Sequence, residues 1–98
     1  MAKRIIWAKE AVADRIQILD YWYKHLGSKD YPSKLDNTFK EVVKLLSHFP
    51  FLGRKVEYGR KERFFIKDHF YIFYTDEEDS IKVLHSWDNR RDPNDMPI

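Results

Sequence analysis

Two stretches of the chain carry apolar residues at alternating steps of four and three. Val12, Ile16, Leu19, Tyr23 and Leu26 form the first series, and Leu35, Phe39, Val42, Leu46 and Phe49 the second. That spacing lines each series along one side of an α-helix. Asp14, Arg15, Gln17, Asp20 and Lys24 then fill the outer side of the first helix. Gly27 follows the last apolar position and suits the left-handed residue that ends a helix. The second helix has Ser28, Asp30 or Ser33 available as its cap, with Pro32 near its first turn. Pro50 stops it and opens the turn Pro50-Phe51-Leu52-Gly53. Matching stripes joined by a short link predict an antiparallel helical hairpin.

Elsewhere the period is two or the run is continuously β-forming. Arg4-Ile5-Ile6-Trp7 predicts a short strand before the first helix. After Gly53, strands are predicted over residues 55–58, 63–67, 70–74 and 81–87, with turns at Gly59-Arg60, Asp68-His69 and the acidic segment Asp76-Glu77-Glu78-Asp79. The aromatic run Phe70-Tyr71-Ile72-Phe73-Tyr74 is the expected central strand, and Ile81, Val83, His85 and Trp87 alternate onto one face of the last one. Helices first and strands later argue an α+β fold. The expected form is a short N-terminal strand, then an antiparallel two-helix hairpin packed on one face of a small antiparallel β-meander. The other face is left to water or a partner, with cationic groups expected to gather there.

Composition sets limits on this picture. Ninety-eight residues make one domain, with residues 90–98 expected as a mobile polar tail. The absence of cysteine excludes a disulfide scaffold, a thiolate metal site and a cysteine nucleophile. No apolar run approaches the ~18 residues of a membrane span, and Ile5-Ile6-Trp7 is too short for a signal-peptide core; a cytoplasmic protein is expected. The acidic turn lacks the alternate-residue spacing of a calcium loop, and the three glycines form no phosphate loop, so neither a metal nor a cofactor is expected. The net charge of +2 conceals a division: residues 54–74 hold six Lys/Arg against three Asp/Glu, and residues 75–98 three against seven. The basic patch suits phosphates or an acidic partner, and equally suits a strand edge kept soluble by charge.

The order of these elements resembles a known superfamily. Trp7 stands before the first helix and Pro50-Phe51-Leu52-Gly53 after the second. Arg63 opens a strand, Tyr71-Ile72-Phe73-Tyr74 forms the next, and Arg90-Arg91-Asp92-Pro93 closes the match. Over about residues 4–93 the chain resembles the RelE/ParE toxins of bacterial type II toxin–antitoxin operons, which include plasmid-stabilisation proteins. The resemblance implies a cognate antitoxin as partner. It also implies one of two targets: the ribosome and its mRNA, cut without a metal by RelE-like members, or DNA gyrase, poisoned by ParE-like members. The long hairpin, and Asp88 where a histidine is often found, lean toward ParE.

Metal-free RNA cleavage needs a base, an acid and cations on the charged phosphorus centre. Arg63, Lys67 and His85 are the candidates if the chain is a metal-independent endoribonuclease. Arg60, Lys61, Arg63, Tyr74, Arg90 and Arg91 are the candidates for target contact. Each has a plainer alternative. Arg63 can pair internally with Glu57, Glu62 or a tail aspartate, His85 can be a core or interface histidine, and most aromatic residues of the meander belong in the core. An inactive binding module of the same fold is a third reading. Apolar surface left bare without the antitoxin makes weak self-association an expectation.

Overall fold

A computed structural model describes residues 2–56 and 62–90. The elements are β1 (Arg4–Trp7), α1 (Lys9–Leu26), α2 (Asp30–His48), a 3-10 turn (Pro50–Leu52), β2 (Arg54–Lys55), β3 (Glu62–Lys67), β4 (Phe70–Asp76) and β5 (Ser80–Asp88). The strands form one sheet in the order β1-β5-β4-β3-β2. From β2 to β5 it is the expected antiparallel meander, but β1 lies parallel to β5 with Arg4 opposite Ser80 and Trp7 opposite Val83. The sheet is therefore mixed. The helices separate β1 from every strand, and it closes the edge of β5 that the meander leaves unpaired.

The punctuation residues act as the sequence predicts. Gly27 adopts φ 67° and its N–H donates to the Tyr23 carbonyl, ending α1. Pro32 is buried in the first turn of α2. Asp68 takes a positive φ of 55° in the two-residue turn between β3 and β4, a conformation that aspartate tolerates better than most residues.

On α2 the predicted face is the core face: Leu35, Phe39, Val42 and Leu46 are buried, while Phe49 at the C-terminal end is not. On α1 it is not. Ala11 and Ile18 are the buried residues, and Ala8, Leu19 and Trp22 pack beside them. Val12, Ile16, Tyr23 and Leu26 are 42, 61, 44 and 51% exposed. Ala8, Ala11, Arg15, Ile18 and Trp22 also step by three and four, so two stripes interleave on this helix. The small alanines allow α1 to approach the sheet closely, and the branched residues of the other stripe are left outside. Arg15 joins the helices by donating to Asp36 on α2 (2.6 Å).

The ring of Phe39 meets that of Phe70 edge-on, which puts Phe70, Ile72 and Tyr74 on the helix-covered face of β4 and Tyr71 and Phe73 on the other. In β5 the alternation breaks. Tyr74 pairs with Val83 but Phe73 pairs with His85, a bulge that adds one residue to β5. Beyond it Ser86 and Asp88, not His85 and Trp87, share the face of Ile81 and Val83.

Candidate functional site

Arg63 lies opposite Tyr74 in the β3–β4 ladder, so both side chains stand on the helix-covered side. The expectation that Arg63 belongs to the uncovered face is corrected by this register. Its Nη1 donates to the carbonyl of Gly53 at 2.8 Å and lies 3.5 Å from that of Phe51. Tyr74 completes the cluster: its hydroxyl donates to the Pro50 carbonyl (2.6 Å) and accepts from the Gly53 N–H (2.9 Å). Burial pushes the Tyr74 hydroxyl above the usual phenol range, only partly opposed by the Gly53 N–H and the Arg63 charge. Gly53 is required here for space. A Cβ on it would lie 2.6 Å from Cε1 and 2.8 Å from Cζ of Tyr74. Tyr74 has no solvent exposure, so the residue expected to touch a target instead locks the turn after α2 onto the sheet.

The other nuclease candidates do not join Arg63. Lys67 is exposed at the far end of β3, four residues and about 13 Å along the strand. His85 is on β5, two strands and about 10 Å across the sheet. Its Nδ1 is 3.1 Å from Asp14 Oδ2 on α1, and the same carboxylate oxygen accepts from the Ser86 N–H at 3.1 Å. Among the described residues no group of three His, Asp or Glu side chains is placed to hold a metal ion.

Arg90 is anchored at the opposite end of the hairpin. Asp88 is buried at the end of β5 and accepts from the Trp22 indole N–H (3.0 Å), from the Arg90 N–H (2.9 Å), and from Arg90 Nε and Nη2 (2.9 and 3.0 Å). The guanidinium lies 4.0 Å from the centre of the Trp22 ring and donates to the Tyr31 hydroxyl. Burial alone would raise the Asp88 carboxyl, but the bonds from Arg90 and Trp22 outweigh it and hold the group below the usual carboxylate range. For Arg90, burial disfavours the charge and the pairing with Asp88 and Tyr31 outweighs it, raising its affinity for the proton. The remaining target-contact candidates, Arg60, Lys61 and Arg91, lie outside the described residues, as does the expected tail from residue 91 onward.

The uncovered face is aromatic, with cations spaced around it. Phe64, Tyr71 and Phe73 form a ring cluster with centroids 6.0 to 6.3 Å apart. The register places Arg4, Arg54 and Lys82 on the same side. Sequence reasoning missed the largest feature of the surface, the bare apolar stripe of α1. The signal was present: when two stripes with helical spacing share a helix, only one can face the sheet.

A family described as the ParE toxin of the type II toxin–antitoxin system parDE matches residues 5–93. Among solved structures, one chain of the chromosomal ParDE toxin–antitoxin system from P. aeruginosa superposes with a TM-score of 0.74 at 21% identity, over 89% of this chain and 96% of that one. At that identity the likeness speaks for the fold. No curated protein sequence matches this chain. No helix among the described residues is long and apolar enough to cross a membrane.

Proposed function

The chain belongs to the ParE toxin family of type II toxin–antitoxin systems, and on that premise we propose that it arrests growth by binding DNA gyrase and that a cognate antitoxin holds it inactive. The observation that carries the protein-binding reading is the commitment of Arg63 to the Gly53 carbonyl. With Nη1 of that guanidinium bonded to the turn, and Lys67 and His85 each about 10 Å or more away from it, the three groups do not converge on one phosphorus atom. Ribosome-dependent mRNA cleavage requires such convergence. Large exposed apolar side chains, by contrast, are what a protein-binding surface requires. In a supercoiling assay the purified toxin is expected to block gyrase, and added antitoxin to restore activity. No inhibition at large molar excess rejects gyrase as the target.

The antitoxin is assigned to α1. Val12, Ile16, Tyr23 and Leu26 extend over 14 residues, about 21 Å of helix, the length that a partner helix covers with its own apolar face. Ile16→Asp is expected to change stability by less than about 0.5 kcal/mol, because the residue is mostly exposed. It is expected to weaken antitoxin binding at least tenfold in calorimetric titration. Unchanged affinity places the antitoxin elsewhere.

A further inference from the structure

A second apolar surface lies across α2 from the first. Asp36 and Leu45 are nine residues apart, which is half a turn out of phase at 100° per residue. Asp36 meets Arg15 of α1, so Leu45 points away from α1. Phe49 continues this flank, and the 3-10 turn adds Phe51 and Leu52. The four are 40, 48, 66 and 43% exposed, and the rings of Phe49 and Phe51 meet edge-on at 6.3 Å. A cleft of about 300 Å³ opens beside Leu45 and Phe49, and another of about 230 Å³ between Leu52 and the β3 residues Phe64, Phe65 and Ile66.

The rim of this flank is cationic. Lys44, Arg54 and Lys55 are exposed around it, with Glu41 beside the first cleft, and the described residues of 41–67 hold five Lys/Arg against two Asp/Glu. Residues 9–29, which carry the α1 stripe, hold four against three. The two surfaces therefore differ in the charge they complement. The sheet edge adds a third feature. β2 reaches only Phe64 on β3, and the Val56 N–H donates to the Glu62 carbonyl. Glu62 thus turns its backbone outward, and by alternation so does Ile66, beyond the end of β2. An extended peptide can continue the ladder there while its side chains enter the clefts.

We propose that this flank of α2, with the turn after it, is a docking surface separate from the antitoxin stripe, taken by an acidic segment of the toxin's protein target that carries large apolar side chains. The proposal rests on the reading that the target is a protein, though not on that protein being gyrase. The four apolar side chains favour a polypeptide over a nucleic acid.

The test compares wild-type toxin with Leu45→Glu/Phe51→Glu and with the milder Leu45→Ser/Phe51→Ser, each with its melting temperature measured. Growth arrest on induction without antitoxin is read beside antitoxin affinity. The expected result is at least a tenfold loss of growth-arrest potency in the folded variants, with antitoxin affinity within about threefold of wild type. Arg54→Glu is expected to lose potency in the same direction. Undiminished growth arrest overturns the proposal. So does a tenfold loss of antitoxin affinity, which assigns the flank to the antitoxin, and so does protection of the flank by a single-stranded oligonucleotide, which assigns it to nucleic acid. If wild-type toxin leaves gyrase unaffected while the variants still lose growth arrest, gyrase is rejected and the docking surface stands.

Discussion

Gly53→Ala is expected to destabilise the protein by roughly 3–4 kcal/mol, the sum of overpacking a filled site and disturbing two buried hydrogen bonds. For a domain of this size that is a fall in melting temperature of roughly 12–32 °C. The backbone of Gly53 is extended, with φ −72° and ψ 149°, so alanine meets no conformational obstacle. The effect comes from the Tyr74 ring, which has no exposure and whose hydroxyl is bonded to the turn on two sides. Tyr74→Phe isolates the polar part: it leaves the Gly53 N–H and the Pro50 carbonyl without their partner and is expected to cost about 1–3 kcal/mol. Gly53→Ala/Tyr74→Leu is expected to be more stable than the sum of its single changes, because the smaller side chain removes the clash. Thermal unfolding followed by circular dichroism measures all of these. An unchanged melting temperature for Gly53→Ala means that Tyr74 does not pack against this turn.

Asp88→Ala is the second large effect. It strips Arg90 of its carboxylate and leaves the Trp22 indole N–H without an acceptor, with an expected cost of about 2–4 kcal/mol. The same group gives the protein an acid-sensitive component of stability. The folded state holds the Asp88 carboxyl below its ordinary value of 3.8. Its contribution is therefore complete above that value and is lost as pH falls through the lower, folded-state value. Asp36, lowered by Arg15 and Lys40 against the effect of burial, has the same sign. Asp88→Asn is expected to melt lower than wild type near neutrality and to show a flatter decline as pH drops below about 4. Parallel acid profiles for the two proteins contradict this account of Asp88.

Much of the fold was legible because its signals are local. Gly27 and Pro50 bracket the helices in the sequence as they do in space, and the α2 stripe needs no tertiary information to be read. The core face of α1 is hard to read because it uses two alanines and a tryptophan whose indole bonds Asp88, whereas the exposed side carries the residues that a hydrophobicity reading ranks highest. The bulge in β5 leaves no local mark beyond the sequence Leu84-His85-Ser86, so the strand looks evenly alternating until its partner is known. β1 pairs with a strand more than 70 residues away, and no spacing in the chain announces that.

The candidate site was less legible than the fold. The family resemblance singles out Arg63, but the direction of its side chain depends on the register against Tyr74. That register places it beneath the turn. Arg90 looked like part of a solvated tail, since it stands among polar residues shortly before Pro93. What holds it is the buried Asp88, together with the Trp22 ring and the Tyr31 hydroxyl about 60 or more residues earlier in the chain. The two stripes of α1 are legible in the sequence, but which of them stays bare is settled only in the assembled hairpin.

This toxin is expected to act by binding and not by cutting. Primer extension on translated messages, taken from cells at the moment the toxin stops their growth, tests it most directly. Intact messages are the predicted result. Breaks at codon boundaries that disappear in His85→Ala contradict the account.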